Sequence, residues 1–415
     1  MSRERVCIVS SGSLSSGPRV EKEAVALAEA GYDVNVLVCH SLSWREEWDR
    51  ELAAERGITL RGIALHGNAP LVRVQRRAAA AVSRAALLLT SLAGPLPALS
   101  ELASSDRVAT LFAHGLRQRA DLYIAHNLPA LAVAAALARV YRARLAFDCE
   151  DDHLGELSAG APAYQSALVD SLQSRYLPDC AYVSAPSDGI ADLLAERYRI
   201  TRPIVVHNVF PWSQRDQLDG RRVDRRSAAV SLYWYSQTLG LDRGVQDALR
   251  AAGRLRGDFE LHLRGHASRD TREALLAIAR EGGIAERVFF HEQVQPGELL
   301  SRTAEHDIGL ALEQPVSRNR LLTVTNKIFF YLVAGLAVAA TETPGQTPIM
   351  SQLADSGFSY PPGDHEQLAR GLQRWLDDRP ALQRTRAAAL EAARTRFCWE
   401  IERDKLLAAV RLSLS

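Results

Sequence analysis

Short apolar runs alternate along the chain with stretches whose apolar residues return every three or four positions, a pattern that predicts strand, helix, strand. Residues 6–10 read as a buried strand. A small-residue loop follows, containing Gly12, Gly17 and Arg19, and residues 21–30 carry a helical period up to Gly31. Further strands are predicted at 34–38, 59–65, 121–127, 145–148, 181–184 and 204–211, with helices at 131–141 and at 190–198, the latter capped by Ser187. After a polar stretch at 212–226 the alternation restarts. Strands are predicted at 230–235, 260–263, 288–291 and 306–312, with helices at 245–254, 387–396 and 400–412. Between them, residues 325–345 predict a helix with Asn326 as N-cap and Gly335 as its stop, feeding a buried strand at 336–340. The fold class is α/β, with two Rossmann-like doubly wound parallel-sheet domains.

With 415 residues, 47% hydrophobic and 24% charged, the chain can bury two sizeable cores and is neither disordered nor fibrous. A formal charge of +1 and the lack of Arg runs interleaved with aromatics give no reason to expect nucleic acid as a partner. Five cysteines without C-x-x-C spacing signal neither a disulfide framework nor a zinc site, and they fit a reducing cytoplasm. No signal-peptide core opens the sequence, and no uncharged run is long enough to span a bilayer, so neither export by that route nor a transmembrane anchor is expected.

Candidate chemistry gathers where strands end, because loops at the carboxyl edge of a parallel sheet open toward ligands. A helix start carrying Asn326 and Lys327 offers unpaired amides, a dipole and an ammonium to a diphosphate. Of the 50 basic residues only Lys22, Lys327 and Lys405 are lysine, leaving 50 − 3 = 47 arginines, so a lysine kept at this helix start is informative. A second phosphate cradle is expected from Gln237 and Thr238 to Arg243 and Gly244, just before the helix at 245. His126 closes one strand, and Asp148, Glu150, Asp151, Asp152 and His153 end or follow another. That acidic cluster could hold a divalent metal, supply a general base, or cap a solvated loop. The first glycine loop lacks G-x-G-x-x-G spacing, which argues against an NAD site. Residues 70–92 are rich in Ala and Leu with Arg at one end; such a segment could lie on an anionic membrane surface or simply flank the domain.

Asn326, Lys327, Tyr331, Gly335 and Val338 together resemble the nucleotide-sugar motif N-K-x-x-E-Y-x-x-x-G-x-P-V of family-4-type glycosyltransferases of the GT-B fold. The resemblance runs in order from Val6 to about Leu407. It implies an acceptor-side domain at 1–210, a hinge at 211–226, a nucleotide-sugar domain at 227–399, an interdomain cleft, and a last helix at 400–415 returning to the first domain. It further implies that His126, Glu150 and Asp151 line the reaction centre, and that Gly12, Gly17, Arg19, Asp152 and His153 face the acceptor or the donor phosphate. The donor diphosphate would fall to Arg243, Gly244, Gln237, Thr238, Asn326 and Lys327. Nucleobase and ribose would fall to Arg264, Gly265, His266, His291 and Val294. No metal or other cofactor is implied, only a UDP- or GDP-linked sugar as donor and a glycan, lipid-linked or small-molecule acceptor. The expected location is the cytoplasm or the inner face of its membrane. The abundance of Arg suggests a GC-rich bacterial genome, where such enzymes commonly build surface polysaccharides.

One departure stands out: Phe330 occupies the place of the Glu that grips the donor ribose, and Leu322 the place of its partner. A lost charged hydrogen bond costs roughly 1.5–3 kcal/mol, on the order of 10- to 100-fold in affinity. Glu313 and Glu342 are the nearest replacements in sequence. The departure keeps open a catalytically silent sugar-nucleotide binder, and a carboxylate-rich cleft keeps open a sugar-nucleotide epimerase.

Overall fold

The computed structural model describes residues 3–67, 69–158, 160–225 and 227–415. The chain divides into two compact units, one of residues up to Val206 with Arg403–Ser415, the other His207–Glu402. Among the described residues the N-terminal unit holds seven strands: β1 (Arg5–Ser10), β2 (Asp33–His40), β3 (Thr59–Ala64), β4 (Leu122–His126), β5 (Arg144–Asp148), β6 (Tyr182–Ala185) and β7 (Ile204–Val205). They pair in parallel in the order β3-β2-β1-β4-β5-β6-β7. Val and Ile fill β1 and β2 because both faces of such a sheet are covered by helices. Their core, Val6, Ile8, Val36, Leu122 and Ile124 among others, also takes in Leu407 and Val410.

The C-terminal unit repeats the plan with β8 (Val230–Thr238), β9 (Phe259–His266), β10 (Val288–His291), β11 (Ile308–Ala311), β12 (Ala337–Thr341) and β13 (Gly357–Tyr360), in the order β10-β9-β8-β11-β12-β13. Its two faces differ. Val230, Leu232 and Trp234 point into an apolar core with Leu261 and Leu263, whereas the alternate positions carry Ser231, Tyr233, Tyr235, His262 and Arg264. Strand order reverses between β1 and β4 and again between β8 and β11, and these switch points are where doubly wound sheets open crevices at their carboxyl ends.

Several boundaries differ from the expectations. Thr325, not Asn326, is the N-cap of helix Asn326–Ala334, so Asn326 is the first helical residue and lies exposed. Gly335 does close that helix in the left-handed conformation, with the Leu336 amide donating to Tyr331 O at 2.9 Å. Gln237, Thr238, Gly265 and His266 end strands instead of starting loops, since β8 and β9 stay paired as far as Thr238 and His266. The expected strand at 204–211 stops at Val205; beyond it the His207 amide donates to the Glu402 carboxylate at 3.0 Å.

The expected hinge is bonded firmly into the C-terminal unit. The Glu305 carboxylate accepts from the amides of Val223, Asp224 and Arg225, Arg225 pairs with Asp307 at 2.9 Å, and Asp219 pairs with Arg302. Arg226, the hinge's last residue, lies outside the described residues. Helices at Ser43–Glu55, Ala163–Tyr176, Arg269–Glu281 and His365–Asp377 have no counterpart in the expectations.

Candidate functional site

At the switch point of the N-terminal sheet, helix Pro18–Glu29 starts after Gly17 and places Arg19 and Glu23 four residues apart, hence on one face. Both reach the carboxyl ends of β4 and β5. The Arg19 guanidinium donates twice to Asp148, through Nε and Nη2, at 2.6 Å each, and through Nη1 to Val206 O at 2.8 Å. His126 is fully buried. Its Nε2 lies 2.6 Å from Glu23, and its Nδ1 lies 3.1 Å from Glu150 and 3.3 Å from Asp148. Ser184 Oγ donates to Asp148 at 2.5 Å, and Tyr182 O–H to Glu23 at 3.4 Å.

Carboxylates face both imidazole nitrogens, so both must donate and the ring is an imidazolium. Burial alone would lower the His126 pKa, but the hydrogen bonds to Asp148, Glu150 and Glu23 raise it well above the ordinary value. Burial likewise pushes against ionised Asp148, and Arg19 and His126 override it, holding the carboxyl far below its usual range. An imidazolium with both protons committed is not a general base. His126, Asp148 and Glu150 offer ligand atoms within 4.8 Å of one another, with the Arg19 guanidinium paired to Asp148 beside them. The partly exposed group of the cluster is Glu150, its side chain 29% accessible.

The Asp151 carbonyl accepts from Cys149 Sγ at 3.2 Å. Asp152 is buried and starts a turn to Glu156. His153 lies 3.7 Å from Glu156. Burial would lower its pKa, but hydrogen bonds to Cys149 and Glu156 push it up to about 10. The loop of Gly12 and Gly17 is pinned from a helix the sequence reading missed: Asp49 of Ser43–Glu55 accepts from the amides of Leu14 and Ser15 at 2.6 and 2.8 Å and from His40 at 2.8 Å. Asn127 links that loop to β4 through Ser11 and Ser10. Glu23, Tyr182 and Ser184 were not anticipated as site residues, whereas Asp148 belongs to the acidic cluster that the sequence singles out. The i, i+4 pairing of Arg19 and Glu23 ahead of an apolar helix was the signal available for Glu23.

At the C-terminal switch point, Gly244 takes φ +75° before helix Val245–Ala252, and a Cβ there would strike Leu312 O. The Arg243–Gly244 turn therefore sits against the segment that leaves β11. One residue on, Glu313 pairs with Lys327 at 3.3 Å, and Lys327 Nζ lies 5.7 Å from the Trp234 ring centroid. Burial would raise the Glu313 pKa, but Lys327 holds it below its ordinary value. Arg320 ties Asp242 down with two 3.1 Å contacts. Arg243, a third accessible, has Asp242 at 3.8 Å as its ion-pair partner. The expected diphosphate residues Arg243, Gly244 and Lys327 thus share one edge, beside helix starts whose first amides lack intrahelical partners.

The expected base and ribose residues are placed differently. Arg264 is buried and donates to Tyr233 Oη at 3.0 Å, to Glu292 O and to Asp224. His291 bridges Asp224 at 3.2 Å and His262 at 2.9 Å. Both are cross-links of the polar sheet face. Gly265 passes so close to Ser236 O that only hydrogen fits at its Cα, and His266 is exposed at the strand end. Val294 is half-buried, near Gln293, which donates to Gln237 O. Phe330 is buried in an aromatic cluster with Phe210 at 4.7 Å and Tyr235 at 5.3 Å between ring centroids.

Two open parallel sheets, each with polar side chains and helix starts gathered at its switch point, are the architecture of the GT-B fold. Across the N-terminal unit, residues 16–209 match the model of the glycosyl transferase 4-like domain. Solved structures agree over the full length. A glycosyltransferase from Rickettsia africae ESF-5 shares 13% identity with a TM-score of 0.68, covering 100% of both chains. Sucrose-phosphate synthase from Thermosynechococcus elongatus shares 15% with a TM-score of 0.68 over 99% of this chain and 98% of its own. Anabaena HepE, solved in complex with UDP, shares 14% with a TM-score of 0.67 over 98% and 99%. At such identities the likeness establishes the fold. No curated protein sequence matches the chain.

Proposed function

We propose that the chain transfers a glycosyl group from a nucleoside-diphosphate sugar to an acceptor hydroxyl, with retention and without a metal, in assembly of a bacterial surface polysaccharide or related glycoconjugate. The observation that carries this reading is the meeting of Arg243, the Gly244 turn and Lys327 at the C-terminal switch point, in a chain whose first unit matches the model of the glycosyl transferase 4-like domain. These groups neutralise the leaving diphosphate. The retaining course leaves deprotonation of the acceptor to the departing phosphate oxygen, consistent with a His126 that cannot accept a proton. Glu150, the partly open carboxylate, orients the acceptor hydroxyl. Anabaena HepE, with UDP bound, supports a uridine nucleotide as the donor's leaving group. Five unpaired cysteines support a reducing cytoplasm.

Calorimetry with UDP, GDP, TDP and CMP tests the reading on the full chain and on Lys327→Ala. One diphosphate binds, and the substitution weakens it by about tenfold or more, because it removes a cation and leaves Glu313 as a bare charge beside the phosphate. Binding that ignores the substitution would move the phosphate site elsewhere. A second reading, a silent binder, is favoured by Phe330, whose aromatic cluster occupies the place of a ribose-gripping carboxylate. Nucleotide binding without release of diphosphate from any donor–acceptor pair would select it.

A further inference from the structure

Helix Pro70–Ala93 is built the wrong way round for a helix that only flanks a domain. Among the described residues no helix is long and apolar enough to cross a membrane. This one instead turns an apolar stripe outward. Advancing about 100° per residue, Val74, Val82, Leu88, Leu89 and Leu92 fall within one sector roughly 120° wide. Ala78, Ala81 and Ala85 fill the gaps between them, and all eight are exposed. Leu88 is 61% and Leu92 78% accessible. The opposite side, with Ala86 and Thr90 buried, faces the N-terminal unit, and Arg76 fixes the first turns by donating to Leu65 O at 3.3 Å.

Charge identifies what covers the stripe. Residues 70–93 contain four arginines and no acidic residue. On the same helical projection Arg73, Arg77 and Arg84 form one continuous flank of the apolar sector, all exposed. An outward apolar sector bordered by cations is the arrangement of a helix lying in the plane of a membrane interface, its side chains among acyl chains and its guanidinium groups at lipid phosphates. A second copy is a poorer occupant, because packing stripe on stripe would bring two purely cationic helices together with no acidic group in either to offset them.

We propose that helix Pro70–Ala93 docks the N-terminal unit on an anionic lipid bilayer surface, a role independent of the reading of the two strand-edge sites. The test is sedimentation of the full chain with vesicles of phosphatidylcholine alone and of phosphatidylcholine mixed with phosphatidylglycerol. The wild type pellets with the mixed vesicles, and added salt weakens that binding. Leu88→Asp with Leu92→Asp lowers the partition coefficient by about tenfold or more, since two exposed leucines lose their burial in lipid. Arg73→Glu with Arg77→Glu and Arg84→Glu abolishes the preference for phosphatidylglycerol. All five side chains are exposed, so the melting temperature of either variant stays at the wild-type value. No pelleting by the wild type, or pelleting unchanged by the two Asp substitutions, overturns the proposal. A dimer in solution that the Asp substitutions split, with no vesicle binding, would assign the stripe to a second copy instead.

Discussion

The two switch points follow one topological plan with opposite electrostatics. At the N-terminal one, Arg19, Glu23, His126, Asp148 and Glu150 satisfy one another: two cations stand among three carboxyl groups, most of them buried. At the C-terminal one a single pair, Lys327 and Glu313, is buried, and Arg243 remains a third accessible with its nearest carboxylate at 3.8 Å. The difference teaches where each unit has spent its charge. The first edge is a preorganised scaffold whose charges hold one another in place, while the second keeps a partly accessible cation, Arg243, outside such a network.

The largest effect is expected from breaking the scaffold. Asp148→Asn keeps the shape but leaves Arg19 and an imidazolium facing a neutral amide inside the protein. Removing one member of a buried pair costs about 3–5 kcal/mol, to be measured by denaturant unfolding. A loss below about 1 kcal/mol, the range of surface pairs, would mean that water already screens this edge and that the contrast between the units is false.

An intermediate effect should follow from pH, with opposite signs in the two units. His126 has a raised pKa, so its contribution is complete below the unfolded value of about 6.5 and is lost only as pH rises through the folded one. On the polar face of the C-terminal sheet, burial and neighbouring His291 hold His262 down to about 4, and burial holds His306 well below its ordinary value. These rings stay neutral in the folded state while the unfolded chain takes up protons below about 6.5, so stability of that unit falls as pH drops from about 6.5 toward 4. Between pH 7 and 5 the C-terminal unit should lose on the order of 1–3 kcal/mol. Amide exchange would show β9 and β10 opening while β4 and β5 keep their protection. His262→Phe, which preserves stacking on Phe289, should flatten the dependence; equal loss in both units would remove the sign difference.

How much of this was legible in the sequence follows from the range of the interactions involved. Strand positions were readable because burial on both faces leaves continuous runs such as residues 6–10, and the turn closing helix Asn326–Ala334 was readable because Gly335 is local chemistry. The partners of His126 were not. Glu23, Asp148 and Tyr182 come from separate elements, and the Arg19–Asp148 pair spans 129 residues. The segment 211–226 looked like a linker because it is polar, but its charges are answered by Glu305, Arg302, Asp307 and Arg264, which no local window reveals. The partner of Arg264 was hidden for the same reason, since only the fold brings Asp224 to it. The outward stripe of helix Pro70–Ala93 lay between both cases, since its period was visible and the side turned to the domain was not.

The smallest expected effect on stability belongs to Arg243. With one third of its side chain accessible and a single weak ion-pair contact, Arg243→Ala should change unfolding free energy by less than about 0.5 kcal/mol. The same substitution should weaken binding of a nucleoside diphosphate by about tenfold, the worth of one charge-assisted hydrogen bond. Arg243→Lys should fall between, because the charge stays and the planar fork is lost. Calorimetry paired with denaturant unfolding on the same variants separates the two quantities. A stability loss near that of Asp148→Asn would make Arg243 part of a closed network like its N-terminal counterpart. An unchanged affinity would remove it from the phosphate site and leave Lys327 and the helix amides to carry the diphosphate.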